Sequence, residues 1–128
     1  MSDPNDPMAW VEIAEEDYAT ARYGLQRREP LVTTSCFHSQ QCAEKYLKAI
    51  LVFRRKAFPK THDLDKLKNL CEQAGVIVPI SSDPLDLLTM YAVEKRYPGR
   101  APTRQDARDA LATAKLVRQF ARKTLGLK

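Results

Sequence analysis

The chain has 128 residues, 44% hydrophobic and 29% charged, with a formal net charge of +5. That length supports one domain over residues 1–128 with a single core, and leaves no room for a second. No apolar run nears the roughly 20 residues that cross a bilayer, and the start lacks the basic and apolar regions of a secretion signal, so no membrane role and a cytoplasmic location are expected.

The charge permits a phosphate-bearing partner without demanding one. Cys36, Cys42 and Cys71 are an odd number with no Cys-x-x-Cys spacing, two of them on one predicted helix. They read as reduced core thiols, with neither a structural disulfide nor a metal site expected.

Asp6-Pro7 supplies an N-cap followed by proline at the first helical position, so a helix is expected from Pro7 to about Arg28. Trp10, Ile13, Ala14, Tyr18, Ala21 and Leu25 form its apolar face. Asp17 falls on that same face. Either it reaches water at the edge of the bundle, or it pairs with a cation from another helix. Glu29-Pro30 stops the helix, because the residue before proline avoids the helical region.

The second predicted helix occupies a stretch with no Gly or Pro from Leu31 to Arg55. Cys36, Ala43, Leu47 and Ile50 share an apolar face at helical spacing, and Gln41, Glu44, Lys45 and Lys48 share a second face. Phe37 and Leu51 border the polar face, which suggests that it is only partly solvated. The helix ends near Arg54-Arg55-Lys56, where cations meet the last carbonyls; a phosphate contact is the alternative.

A short third helix spans about Asp63 to Ala74, with Leu64, Leu67, Leu70 and Cys71 inward and Gly75 just past its end. Val76-Ile77-Val78-Pro79-Ile80 is β-branched, but with no partner strand it reads as an apolar loop covering one end of the core. Ser82-Asp83-Pro84 repeats the cap-then-proline pattern and opens a fourth helix to about Lys95 or Arg96, with Leu85, Leu88 and Ala92 inward and Tyr91 a further candidate. Thr103 with Asp106 resembles a capping box for a fifth helix running to Leu125, with Gly126 behind it. Its apolar face is Ala107, Ala110, Leu111, Ala114, Val117, Ala121 and Leu125. Arg104, Arg108, Lys115, Arg118 and Arg122 form a basic stripe beside it, either a solvated face or a surface for an RNA backbone or acidic partner. The expected architecture is all-α, an antiparallel up-and-down bundle of four to five helices.

The segment Gln40-Gln41-Cys42-Ala43-Glu44-Lys45-Tyr46-Leu47-Lys48-Ala49-Ile50-Leu51 resembles the second-helix signature of HEPN domains. Trp10 with Ala14 and Asp17, then Thr61-His62-Asp63-Leu64, then Arg96-Tyr97-Pro98 resemble three further family features in order and spacing. The resemblance covers about residues 8–125. It implies a helical bundle, commonly a homodimer, often encoded beside a minimal nucleotidyltransferase in pairs that resemble toxin–antitoxin modules. Some members bind nucleotides and others are metal-independent ribonucleases.

The ribonuclease branch carries an arginine followed four to six residues later by histidine. Arg96 stands at the matching place, but no histidine occurs among the next six residues. That chemistry needs an imidazole to take the ribose 2′-OH proton and a cation for the developing phosphorane, and Arg96 supplies only the cation. Ribonuclease activity is therefore the alternative, not the main reading.

The main reading is a nucleotide-binding module, or the partner of a nucleotidyltransferase. Lys45, Lys48, Arg96, His62 and Tyr97 are its candidate phosphate-binding residues, and Asp17, Gln41 and Glu44 orient them. No catalytic residue, metal or cofactor is assigned. The blander possibilities stand beside it: His62 as a structural group at a helix start, the polar stripe as a solvated face with a Glu44–Lys48 pair worth a few tenths of a kcal/mol, and the whole chain as an oligomerising adaptor with no ligand.

Overall fold

Five helices and no strand occur among the residues that the computed structural model describes, 3–93 and 101–128: α1 (Pro7–Gln26), α2 (Val32–Phe53), α3 (Leu64–Gln73), α4 (Ser82–Thr89) and α5 (Arg104–Thr124). The Arg96-Tyr97-Pro98 segment lies outside the described residues, and the fourth helix ends at Thr89, short of the expected Lys95 or Arg96.

Local chemistry accounts for most of the helix ends. The Asp6 carboxylate accepts from the Met8 N–H at 3.0 Å, with Pro7 opening α1. The helix ends at Gln26, short of Arg28, because Arg27 already takes an extended conformation. Asp63 caps α3, accepting from the Asp65 and Lys66 amides at 3.1 and 3.3 Å. Gly75 follows α3 with φ +88°, the left-handed conformation that glycine adopts without a side-chain penalty. Thr103 and Asp106 form the expected capping box of α5.

The fourth helix departs from expectation. Ser81, not Asp83, is its N-cap, without a side-chain hydrogen bond, and Pro84 is the third helical residue. Proline fits there because the first-turn amides have no helical acceptor to lose. After Thr89 the chain tightens into bonds from Met90, Tyr91 and Ala92 to the carbonyls three residues back. Thr89 Oγ in turn accepts from the Leu64 N–H at 3.1 Å and donates to Leu85 O at 2.8 Å, tying the end of α4 to the start of α3.

The antiparallel α1–α2 pair is the spine of the bundle. It closes tightly at Gly24: a Cβ there would collide with Ser35 Oγ, and that hydroxyl donates to Ala21 O at 2.9 Å. On α2 the expected apolar residues Cys36, Ala43, Leu47 and Ile50 are fully buried, but so are Cys42, Tyr46, Ala49 and Leu51. The cause is that α1, α3, α4 and α5 all pack against α2, so it has no solvent side along most of its length. All three cysteines are free and buried, and burial pushes the Cys36 and Cys71 thiols up to about 12.

Val76, Val78 and Ile80 enter the core while Ile77 faces out, so the apolar loop covers the end of the core as expected. On α1, Ile13 is 45% exposed where burial was expected, and Val11 is buried instead. No helix is long and apolar enough to cross a membrane among the described residues.

Candidate functional site

Glu44 lies in the middle of α2 with no solvent exposure, and its carboxylate gathers the groups that the helical spacing had aligned. Lys45 Nζ stands 2.7 Å and Lys48 Nζ 3.0 Å from Glu44 Oε2. The third partner comes from the loop before α3: His62 Nδ1 approaches Glu44 Oε1 at 2.6 Å. An ionised carboxylate only accepts, so Nδ1 carries the proton. Burial by itself raises the Glu44 carboxyl, but the hydrogen bonds from Lys45, His62 and Lys48 outweigh it and hold the pKa at about 2.

Two glutamines lock this arrangement. Gln40, fully buried, donates to His62 O at 2.9 Å and so fixes the loop that carries the imidazole. Gln41 donates to Gln40 Oε1 at 2.7 Å and accepts from Lys45 Nζ at 3.3 Å. The polar face is therefore not a solvated stripe. Two ammonium groups face one carboxylate, which leaves a surplus positive charge, and the His62 ring beside them is 58% exposed. Preorganised cations of this kind suit an anionic ligand.

Asp17 sits apart from that cluster. Its Oδ1 is 2.7 Å from His38 Nδ1, so the carboxyl on the apolar face of α1 hydrogen-bonds an imidazole of α2, while Lys45 acts on it only through its charge. Burial pushes the Asp17 carboxyl up, against the pull of His38 and Lys45. His38 is a polar residue that the sequence reading passed over; it lies one turn before Gln41 on the same face of α2. Arg96 and Tyr97 lie outside the described residues.

The basic stripe of α5 is divided. Arg118 grips the Glu15 carboxylate with two bonds, Nε to Oε2 at 2.6 Å and Nη2 to Oε1 at 2.9 Å. Arg122 donates to Tyr46 Oη at 3.2 Å and to Lys128 O at 2.6 and 2.9 Å. Tyr46 in turn donates to Glu15, so α1, α2 and α5 meet on one carboxylate, and the Arg118 hydrogen bonds hold the Glu15 pKa low. Arg118 and Arg122 thus build the bundle, and Arg104, Arg108 and Lys115 are the exposed members of the stripe. Among the described residues no group of three or more His, Cys, Asp or Glu is placed to hold a metal ion.

Comparison with known proteins matches both the sequence and the fold. The family model described as HEPN domain matches residues 8–124. The bundle is similar to the crystal structure of ST0689, an archaeal HEPN homologue, with a TM-score of 0.68 and 23% identity over 92% of this chain and 96% of that one. It is also similar to the crystal structure of TT1696 from Thermus thermophilus, with a TM-score of 0.72 and 24% identity over 94% and 98% of the two chains. No curated protein matches the sequence.

Proposed function

The chain belongs to the HEPN domain family, and from that premise we propose that it is a cytoplasmic nucleotide-binding module, working beside a minimal nucleotidyltransferase in a toxin–antitoxin-like pair. The observation that carries the reading is the Glu44 cluster. A fully buried carboxylate fixes Lys45 and Lys48 in place and leaves one of their two charges uncompensated, next to a half-exposed imidazole. A flexible surface lysine must lose side-chain entropy to hold a phosphate, whereas these two are already ordered. Lys45 is the more accessible of the pair, 18% exposed against 9% for Lys48, so it is the group that meets the phosphate. A nucleotidyltransferase consumes nucleoside triphosphates, which makes it a partner whose chemistry fits such a site.

Thermal unfolding with a panel of nucleotides tests the reading. A nucleotide at 100 times its Kd adds about 2.7 kcal/mol to the folded state, seen as a Tm rise of several degrees. The rise should occur for the wild type and shrink in Lys45→Met. If no nucleotide moves the wild-type Tm, the binding-module reading falls and the cluster belongs to an interface with another protein.

A further inference from the structure

At the end of α2, Val52, one turn beyond Lys48, and Arg55, just past the helix, line a groove of about 620 Å³. Trp10 of α1 and Phe58 of the loop after α2 form its aromatic wall, their ring centroids 5.7 Å apart in an edge-to-face arrangement at 68°. The indole is fixed by a hydrogen bond from Trp10 Nε1 to Pro4 O at 2.9 Å. Lys48 Nζ lies 5.6 Å from the Phe58 centroid and 6.0 Å from that of Trp10, so the ammonium held by Glu44 also contacts both rings. Arg55 and Lys56 are exposed at the rim, and no acidic side chain lines the groove among the described residues.

Arg55 carries a second signal. Its N–H bonds to Val52 O at 3.0 Å and the Lys56 N–H bonds to Leu51 O at 2.9 Å, the paired closure that ends a helix on a left-handed residue. That position is ordinarily glycine, but here an arginine takes φ +57°. The chain accepts a strained backbone and gains a guanidinium at the mouth of an aromatic groove.

We propose that this groove is a second nucleotide site, separate from the Glu44 cluster, with the base against Trp10 and Phe58 and the phosphate against Arg55 and Lys56. The volume lies within the roughly 300–1,000 Å³ of small-molecule sites. An aromatic wall accepts the face of any base, and rim cations supply the charge that a phosphate requires. The proposal rests on reading the chain as a nucleotide binder and goes beyond it by adding a second site outside the Glu44 cluster.

Trp10 is the single tryptophan of the chain, so its emission reports on this groove directly. Titration with AMP should quench it saturably, and adenosine or ribose 5-phosphate should bind at least tenfold more weakly. Arg55→Gly relieves the left-handed strain, so it should raise Tm by a few degrees while weakening AMP at least tenfold; Lys56→Gln should weaken AMP without moving Tm. If AMP raises Tm but leaves Trp10 emission and the Arg55→Gly affinity unchanged, nucleotide binding stands and the groove is not its place. If ribose 5-phosphate quenches as well as AMP, the groove selects an anion and not a base, and the proposal is overturned. If AMP, ADP and ATP neither quench Trp10 nor raise Tm, both readings fall together.

Discussion

Glu44 is the residue on which most of the polar chemistry turns, and its partners set how the fold responds to acid. Its folded pKa of about 2 lies below the ordinary 4.5, so the unfolded chain binds the proton more readily. The stability it contributes is complete above pH 4.5 and is lost as pH falls toward 2, an effect on the order of 3 kcal/mol. Asp17 opposes it: its carboxyl is pushed up, so its contribution is present in acid and is lost as pH rises through its folded value. Glu44→Gln should therefore flatten the stability profile between pH 4.5 and 2. At neutral pH it should lower stability by about 3 kcal/mol, because two poorly solvated ammonium groups lose their counter-charge. Urea unfolding across that pH range checks both halves, and an unchanged acid limb would mean that Glu44 does not carry it. Helical spacing puts Glu44, Lys45 and Lys48 on one face, and leaves open whether they cluster. That His62 would complete the set depended on where the loop before α3 lands, and periodicity carries no information about that.

Among the elements, the α1–α2 pair carries the tightest packing. Gly24 is buried in α1 with its carbonyl accepting from the Leu31 N–H at 2.9 Å and Ser35 Oγ filling the space where a Cβ would stand. Gly24→Ala adds helix propensity, yet it must displace a buried hydroxyl that already bonds Ala21 O, so a net loss of about 1–3 kcal/mol is expected. Chemical denaturation of Gly24→Ala, and of Gly24→Ala with Ser35→Ala, separates the causes: removing the hydroxyl should recover part of the loss. No recovery would place the cost in the backbone instead. The helices themselves were readable because Asp6, Asp63, the Thr103–Asp106 pair and Gly75 are local signals that act within one turn. The start of α4 was misread for the same kind of reason. Asp83-Pro84 looks like a cap, but Ser81 takes that place: Lys68 Nζ to Ile80 O at 2.7 Å pins the preceding loop, and Ser82 Oγ to Asp65 Oδ1 at 2.6 Å ties the first residue of α4 to α3.

For the whole molecule, what the sequence hid is what joins distant segments. Glu15 and Arg118 stand 103 positions apart, and each alone looks like an ordinary surface charge on an amphipathic helix. Trp10 and Phe58 make a wall only because α1 runs antiparallel to α2 past the end of that helix. The same scale sets the last expectation, self-association. Leu87, Met90 and Val93 on and just beyond α4 are 64%, 75% and 59% exposed, and Leu116 on α5 is 54% exposed. Leu87 also lines a groove of about 270 Å³ between α4 and α5, with Leu88, Tyr91 and Ala110 beneath it. Side chains of this size left in water together are costly, and covering them is the ordinary driving force of a dimer. A standard interface takes about 800 Å² from each partner, roughly a tenth of the 7846 Å² that this chain exposes, so one face of α4 and α5 is enough. Sedimentation at tens of micromolar should therefore give a dimer for the wild type. Leu87→Asp with Met90→Asp, placed beside Asp83 and Asp86, should give a monomer of unchanged helical content, since both side chains are exposed. A wild type that sediments as a monomer would remove the expectation, and a double variant that remains dimeric would move the interface off this face.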